Sequence, residues 1–316
     1  MSTDLIEEPQ DAPPLRISDR EQWLAERRTG IGGSDAAAAV GMSKWKTRLE
    51  LFLDKTGRLR TEETEPMRWG TMLEPIVRQE YVNRTGRTVI VPNRILRHAT
   101  REFAIVNVDG IADQCRVYEG KTARSADGWG EPGTDEVPIE YLLQVQHAMF
   151  VTGLAVADIA VLIGGNDFRL YVVPADAELQ ALMIEQEAEF WRHVVEDIEP
   201  APVTYEDMKL AWRRATGGKV IADHSAEEVA RQLRLVKNEI KVAEEREAML
   251  LAQLQGQMKE ASELVNGSGD LLATWKNVNA APRFDMERFK SEQPDLWKSF
   301  LVEPTPRRQF LLKVRG

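Results

Sequence analysis

Short β-forming runs follow one another between residues 89 and 118, directly after a long amphipathic helix. This pattern restricts the fold more than any other feature of the chain. The helix is predicted over Trp69–Arg84, where apolar residues recur at helical spacing, and Gly86 ends it. The runs that follow are Val89–Val91, Ile95–Leu96, Phe103–Val108 and Cys115–Tyr118. Turn residues separate them, so they predict a strand meander and a chain that mixes strands with helices.

The flanking regions extend this mixed pattern. Helices are predicted from Glu21 to about Arg28, from Ala36 to Val40, from Thr47 to Thr56, from Glu140 to about Val151 and from Glu178 to Ile198. The strands Ile159–Ile163 and Phe168–Val173 are joined by Gly164-Gly165-Asn166-Asp167, which is a hairpin turn signal. The predicted fold class is therefore α/β (α+β), with a sheet flanked by helices.

A proline pair, Pro200 and Pro202, marks the expected domain boundary. It separates a core at residues 21–205 from an extension at 206–316, and a polar, Pro-rich leader at 1–20 is expected to be flexible. In the extension, the charge-rich segment 226–262 predicts a helical hairpin or a coiled-coil arm. Leu271–Trp275 and Phe310–Val314 are predicted as terminal strands.

Composition limits the class of protein. No apolar run approaches the ~18 residues needed to cross a bilayer, and the acidic N-terminus is unlike a signal peptide, so no membrane partner is expected. A single cysteine fits a reducing cytoplasm, and with four scattered histidines it excludes the usual Cys/His zinc sites. The net charge is −10, but residues 101–200 carry 19 Asp+Glu against 6 Lys+Arg, whereas residues 21–100 carry 14 Lys+Arg against 10 Asp+Glu. A carboxylate cluster for a hard cation and a positive surface for nucleic acid can therefore coexist.

The candidate chemical centre is formed by Asp109, Glu119, Gly120 and Lys121, with Glu74 upstream on the Trp69–Arg84 helix. Residues two apart on a strand point to the same face, so Glu119 and Lys121 project together. A hairpin through Gly110–Gln114 brings Asp109 close to them. Two carboxylates and the Gly120 carbonyl then converge as ligands for Mg²⁺, with Lys121 to orient or deprotonate a water and Glu74 to bind a second metal. The spacing alone is weak, because a solvated hairpin explains it equally.

Two glutamines, Gln144 and Gln146, interrupt the apolar helix from Glu140 to Val151. Each amide needs hydrogen-bond partners inside such a helix. One interpretation is that Gln144 faces a phosphate-bound water. The other is a buried amide that caps a neighbouring strand. The neighbouring His147 receives no role.

A glycine-rich turn, Gly30-Ile31-Gly32-Gly33, precedes a helix and can present backbone N–H groups to an anion. Arg28 and the Ser34 hydroxyl are the candidate phosphate contacts. An ordinary turn, in which Ser34 or Asp35 caps the helix, is the alternative. Trp45, between Lys44 and Lys46, is a possible DNA contact, although packing of a loop onto the core explains it as well.

Several of these residues occur within motifs that stand in order along the chain. The motifs are Gly30-Ile31-Gly32-Gly33-Ser34-Asp35-Ala36, Gly41-Met42-Ser43-Lys44-Trp45-Lys46-Thr47, Trp69-Gly70-Thr71-Met72-Leu73-Glu74-Pro75, Val108-Asp109-Gly110, Glu119-Gly120-Lys121 and Gln144-Val145-Gln146-His147. Together they resemble the YqaJ-like viral recombinase family, which comprises lambda-exonuclease-like phage nucleases of the PD-(D/E)XK superfamily. The resemblance covers roughly residues 21–200.

The resemblance implies a restriction-endonuclease-like core with a mixed central sheet. It also implies a nuclease that uses one or two Mg²⁺ ions, with Mn²⁺ as a substitute. Such an enzyme degrades one strand of a double-stranded DNA end 5′→3′ and leaves a 3′ overhang for a single-strand annealing protein. A phage or prophage protein in the bacterial cytoplasm and a homotrimeric ring are further implications.

The resemblance assigns metal binding to the matches of Asp109 and Glu119, catalysis to Lys121, and supporting roles to Glu74 and Gln144. Arg28 and Ser34 match its pocket for a 5′-phosphate. Two alternatives stay open: an endonuclease or nickase on the same core, and a non-catalytic DNA-binding scaffold.

Overall fold

The computed structural model describes residues 17–60, 64–278, 282–302 and 308–313. The chain divides into two compact units, with the boundary between Ala211 and Trp212. The first includes a short helix past the proline pair, α7 (Tyr205–Ala211). Most of the predicted leader, residues 1–16, lies outside the described residues, and residues 17–20 begin helix α1 (Ile17–Arg27). Among the helices in the described ranges, none has the length and apolar character to span a membrane.

The first unit is built on a five-stranded sheet with the order β1-β4-β5-β6-β7. Its strands are β1 (Val89–Ile90), β4 (Gly110–Ala112), β5 (Arg116–Ala123), β6 (Val156–Ile163) and β7 (Asp167–Pro174). The central pair, β5 and β6, is parallel, whereas the other neighbours are antiparallel. The sheet is therefore mixed, as expected. A second, two-stranded sheet pairs β2 (Leu96–Arg97) with β3 (Ile105–Val106).

Helices cover both faces of the large sheet. They are α2 (Gly33–Ala39), α3 (Arg48–Lys55), α4 (Glu65–Thr85), α5 (Ile139–Thr152) and α6 (Ala177–Glu196). On one face, Val77 and Tyr81 of α4 pack against Tyr118 of β5. On the other, Val145 of α5 packs against Val117. Because side chains alternate along β5, Tyr118 and Gly120 face α4, whereas Glu119 and Lys121 face α5.

The hairpin that carries the candidate site differs from the prediction. The expected turn over Gly110–Gln114 is in fact a strand, β4, followed by a tight turn at Asp113 and Gln114, which both have positive φ. Two consecutive residues of this kind form the turn that matches the twist of an antiparallel pair. Strand β5 also runs to Ala123, well past the predicted end at Tyr118, because its last residues pair with β6.

Two predicted helix starts also shift. Helix α4 begins at Glu65, four residues before Trp69, and has a proline in its first turn, a position where the missing N–H costs nothing. Helix α2 begins at Gly33, because Gly32 occupies the cap and the Asp35 carboxylate accepts a hydrogen bond from its backbone N–H. The start of α3 agrees with the prediction, since Thr47 caps it.

The second unit contains one long helix, α8 (His224–Met258), where the sequence left a helical hairpin or a coiled-coil arm open. A small sheet of β8 (Glu263–Val265) and β9 (Leu271–Thr274) follows, and then helices α9 (Met286–Glu292) and α10 (Pro294–Ser299). The strand predicted at Phe310–Val314 is wrong for its described part, residues 310–313. No other strand pairs with that segment, and a strand needs a hydrogen-bonded neighbour. Val314 lies outside the described residues.

Candidate active site

The hairpin of β4 and β5 brings together the carboxylates that lie ten residues apart in sequence. Gly110 pairs with Tyr118, so Asp109 and Glu119 stand next to each other at the same end of the two strands. The backbone N–H of Gly120 donates to Oδ2 of Asp109 at 3.0 Å. Nζ of Lys121 donates to Oε1 of Glu119 at 2.5 Å. The predicted convergence of these four residues is therefore present in the structure.

Gln144 completes this cluster from α5. Its Nε2 donates to Oε1 of Glu119 at 2.5 Å, and its Oε1 accepts from Nζ of Lys121 at 3.1 Å. The amide thus contacts both groups. Gln146 does something else: it donates to the carbonyl of Pro174 and accepts from the N–H of Asp176, which joins the end of β7 to the start of α6. Of the two interpretations, site contact applies to Gln144 and strand capping to Gln146.

Glu74 approaches the site from the opposite face of the sheet, on α4. Oε1 of Glu74 accepts from Arg78, one turn further along the helix, at 3.1 Å. Partial burial and the charge of Asp109 raise the pKa of Glu74. The charge of Asp109 therefore acts on the Glu74 carboxylate. The hydrogen bond that this carboxylate accepts comes from Arg78 and not from the cluster.

Negative charge is in excess at the centre. Burial and the neighbouring charge of Asp109 raise the pKa of Glu119 to about 8, although Lys121 opposes this. Burial alone lowers the pKa of a lysine, but the charges of Glu119 and Asp109 outweigh it and raise the pKa of Lys121. Lys121 is therefore held as an ammonium ion. The raised pKa of Glu119 shows that one ammonium does not balance the buried carboxylates.

These residues fit a hard divalent cation. Asp109 and Glu119 would offer carboxylate oxygens and Gly120 a carbonyl oxygen, which are the ligands that Mg²⁺ prefers. The Tyr118 hydroxyl, beside Gly120 on the α4 face, is buried and has no hydrogen-bond partner within the described residues. No cluster of three His, Cys, Asp or Glu side chains poised to hold a metal exists in the described ranges.

A cavity of about 190 Å³ joins this cluster to the glycine-rich turn. It is lined on one side by Asp109, Glu119, Lys121 and Gln144, and on the other by Arg27, Gly32, Gly33 and Ser34. The turn fits closely: a side chain at Gly30 would clash with the Phe103 carbonyl, which would be 2.5 Å from its Cβ. Glycine is thus required where the backbone of the turn approaches β3.

Arg27, rather than Arg28, is the arginine of this cavity. Its guanidinium donates to Oγ of Ser34 at 2.8 Å, whereas Arg28 is exposed and does not line the cavity. Arg27 is the last residue of α1, and adjacent residues of a helix point about 100° apart, so only one of the two arginines can face inward. The candidate anion contacts are therefore Arg27 and Ser34.

A buried ion pair supports the turn. Nζ of Lys55 donates to Oδ2 of Asp35 at 2.6 Å and to the carbonyl of Arg27 at 2.8 Å. Burial raises the pKa of Asp35, but Lys55 and Arg27 outweigh it, so the pKa of this carboxyl lies well below its usual range. Gly32 is the cap residue of α2, and Asp35 contributes to the cap through the hydrogen bond that its side chain accepts from the Gly32 N–H, while Ser34 lines the cavity.

The segment of Trp45 lies beside the site but does not line the cavity. Trp45 is 58% exposed, and its ring centroid is 5.5 Å from that of Tyr141. The flanking lysines have carboxylate partners: Lys44 lies 3.4 Å from Glu140, and Lys46 3.0 Å from Asp54. Trp45 therefore both packs against α5 and remains accessible.

Sequence reasoning missed Arg27, Tyr118 and Tyr141. Tyr141 lies one turn before Gln144 on α5, and its ring centroid is 5.0 Å from Nζ of Lys121. Its spacing of three residues from Gln144 is the signal that identifies this helix face. Tyr118 directly precedes Glu119 on β5. Because side chains alternate along a strand, the sequence predicts that Tyr118 lies on the opposite face, away from the site.

Comparison with known proteins places these features in a family. The model of the YqaJ-like viral recombinase domain matches residues 22–155. The uncharacterized protein YqaJ of Bacillus subtilis (strain 168) is 35% identical over 300 residues, which is 92% of this chain and 93% of the relative.

Solved structures similar to this chain include two described as exonucleases. The alkaline exonuclease LHK-Exo of Laribacter hongkongensis is 22% identical, with a TM-score of 0.47, over 60% of this chain and 98% of its own. A phage-related exonuclease from Haemophilus somnus 129PT is 13% identical, with a TM-score of 0.41, over 54% of this chain and 95% of its own.

A mixed sheet that is covered by helices, with an aspartate directly before one strand and Glu-x-Lys on the adjacent strand, is the arrangement of a nuclease core. The chain belongs to the YqaJ-like viral recombinase family. It is accordingly a phage-type nuclease.

Proposed function

We propose that this nuclease is a Mg²⁺-dependent exonuclease that degrades one strand of linear duplex DNA from its 5′ end. The 3′ overhang would serve a single-strand annealing protein. One observation carries the proposal: Arg27 and Ser34 line the same cavity as Asp109, Glu119 and Lys121. An anion pocket within reach of the cleavage centre favours an enzyme that recognises a terminal 5′-phosphate.

Each side chain has a distinct part in this reaction. Asp109, Glu119 and the Gly120 carbonyl would hold the cation, which when bound polarises the phosphate and lowers the pKa of a water. Lys121 stays protonated beside Glu119. This favours a role in which its ammonium orients the attacking water and stabilises charge that develops on the phosphate, rather than one in which it removes a proton. Gln144 holds Lys121 and Glu119 in register.

Glu74 is proposed as an outer contact to the metal or to its water, because it lies on α4, on the other face of the sheet from Glu119, and already accepts a hydrogen bond from Arg78. We propose that the nuclease activity resides in residues 21–205. We also propose that Lys44, Trp45 and Lys46 contact DNA. Mn²⁺ is expected to replace Mg²⁺, with one or two ions per site. The bacterial cytoplasm, the annealing partner and a ring-shaped trimer follow from the family resemblance.

Digestion of matched DNA forms tests the proposal. Linear duplex with a 5′-phosphate, the same duplex with a 5′-hydroxyl, and a covalently closed circle are incubated with Mg²⁺. Label at the 5′ end of one strand and at the 3′ end of the other records polarity. Early release of 5′ label, faster digestion of the phosphorylated ends and an intact circle are expected. Cutting of the circle would instead support an endonuclease or nickase, and no cutting of any form would support the scaffold.

A further inference from the structure

Helix α8 extends without cover over most of its length. It has 35 residues, and every residue from Arg234 to Gln257 is exposed. At 1.5 Å per residue the helix is about 52 Å long. Most helices in proteins owe their stability to the packing of an apolar face rather than to local propensity. An uncovered helix of this length therefore indicates a missing partner.

One stripe of α8 has the spacing of a coiled-coil seam. Residues at alternating intervals of four and three are Val229, Leu233, Val236, Ile240, Ala243, Glu247, Leu250 and Leu254. All but one are apolar, which is the heptad pattern of a helix that packs along another helix. The stripe is open: Ile240 is 52% exposed and Leu250 is 51% exposed. Contiguous apolar surface of this kind marks an interaction site.

We propose that α8 associates with α8 of a second copy of this chain, as an antiparallel two-stranded coiled coil. Its two-fold axis passes between residues 241 and 242. In an antiparallel coiled coil the two kinds of seam position face each other, and a two-fold axis repeats every contact. This register places Ile240 opposite Ala243 of the second copy, Val236 opposite Glu247, Leu233 opposite Leu250, and Val229 opposite Leu254.

The residues beside the seam agree with this register, which identifies a second copy as the occupant. On one side Lys237 faces Glu244 of the second copy, and on the other Glu239 faces Arg246. Both contacts pair opposite charges, and the two-fold axis repeats each of them. The outer flanking pairs match as well, because Ala230 meets Leu251, and Gln232 meets Gln253. The exposure of Leu251 outside the seam is thereby explained.

A parallel pair of the same helices has the opposite character. It would place Glu239 beside Glu244 of the second copy, since flanking positions five residues apart meet in parallel coiled coils. It would also set the two Glu247 side chains against each other in the seam. Like charges at both levels disfavour this arrangement and select the antiparallel one.

The rest of the second unit leaves the seam free along most of α8. Arg234 donates to the carbonyl of Lys313, so the described C-terminal residues contact α8 near its first third. Arg234 follows Leu233 on the helix and points about 100° away from it. Every side chain of the seam from Val236 to Leu254 is exposed, so within the described residues this part of the seam is open to a second helix.

Charge reversal in the full-length protein distinguishes the possibilities. Glu244→Lys places like charges at Lys237 in the antiparallel dimer, whereas in a parallel dimer it would create an attraction to Glu239. Analytical ultracentrifugation over a concentration series measures self-association of the wild type, Glu244→Lys, Lys237→Glu and the double variant. Both single variants are expected to weaken association about tenfold, since two attractions become two repulsions. The double variant restores it.

An equimolar mixture of the two single variants gives the sharpest result. One chain then carries two glutamates at the flanking positions and the other two lysines, so a heterodimer is expected to form more tightly than either homodimer. Circular dichroism and DNA cleavage per chain verify that the variants fold. Stronger association of Glu244→Lys would overturn the antiparallel register. A wild type that stays monomeric at about 100 µM, or an oligomer indifferent to both charges, would overturn self-association through α8 and leave the seam to another protein.

Discussion

Nζ of Lys121 lies 2.5 Å from Oε1 of Glu119, the carboxylate two residues before it on the same strand. The contact is buried on the α5 face of the sheet, where Gln144 joins it. A cation held by Glu119 would therefore lie beside Lys121. We therefore expect the loss of Lys121 to affect catalysis more than DNA binding.

Lys121→Ala is expected to lower kcat by about 100-fold or more while DNA affinity changes little, because the ammonium acts on charge that develops during cleavage. Single-turnover digestion with Mg²⁺ gives the rate, and fluorescence anisotropy with Ca²⁺ gives the affinity. Lys209→Ala is the matched control, because this exposed lysine contacts Glu206 and the ring of Tyr205 on its own helix and does not line the cavity. A rate for Lys121→Ala within twofold of the wild type would remove the residue from the reaction.

Asp109→Asn and Glu119→Gln should each abolish Mg²⁺-dependent cleavage. Each amide keeps the shape of the side chain but loses the charge that a divalent ion needs. The raised pKa of Glu119 reflects an excess of negative charge at the centre. The free energy of unfolding of both variants should therefore equal or exceed that of the wild type. Digestion assays and urea unfolding measure the two effects, with Asp167→Asn on the distant β6–β7 hairpin as the control. Residual cleavage above about one per cent in either variant would contradict the ligand assignment.

The two glutamines of α5 should separate function from stability. Gln146→Leu leaves the Pro174 carbonyl and the Asp176 N–H without partners, at a cost of about 2 kcal/mol in the free energy of unfolding. Gln144→Leu should instead lower kcat about tenfold, since Lys121 and Glu119 lose the amide that aligns them. Urea unfolding and single-turnover digestion of both variants test this. The reverse pattern would exchange their roles.

Much of the site was predictable because it depends on local periodicity. Glu119 and Lys121 share a face since residues two apart on any strand do so, whatever its length. The β6–β7 hairpin follows from its glycine turn between two apolar runs. These features need no knowledge of the partners that surround them.

Other features depend on tertiary contacts and were beyond such reasoning. Strand β4 contains only Gly110-Ile111-Ala112, which has no strand signature, and it forms because β1 and β5 pair with it on either side. The choice of Arg27 over Arg28 depends on where α1 ends, which is the least predictable property of a helix. Glu74 was predicted near the metal, but its tie to Arg78 is a local pair that competes with that role.

His147 should make stability depend on pH. Its Nδ1 contacts Glu187 at 2.9 Å and its Nε2 contacts the Ile105 carbonyl at 2.9 Å. Both nitrogens face acceptors, so both must donate and the ring is charged. Burial lowers the pKa of His147, but the charge and hydrogen bonds of Glu187 outweigh it, and the pKa is raised.

A pKa raised on folding stabilises the native state below the unfolded value of about 6.5, and this stability is lost as pH rises through the native value. Wild-type stability should therefore fall as the pH rises above about 6.5 and through the raised native pKa of His147. In Glu187→Gln the ring becomes neutral, so overall stability drops and this slope disappears. Urea unfolding across the range measures both proteins. An unchanged slope in the variant would show that another group is responsible.

The paired arginines at the end of α1 provide the test of end recognition. Arg27 donates to Ser34 at 2.8 Å inside the cavity, whereas Arg28, its neighbour of identical chemistry, is exposed. Arg27→Gln should reduce the preference for 5′-phosphorylated over 5′-hydroxyl ends about tenfold, because a charge-assisted contact to phosphate is lost. Arg28→Gln should retain the wild-type preference. The ratio of initial rates on the two linear duplexes measures it. If Arg28→Gln lost the preference and Arg27→Gln kept it, the assignment of Arg27 to the phosphate pocket would be wrong. The 5′-phosphate would then bind Arg28 outside the cavity.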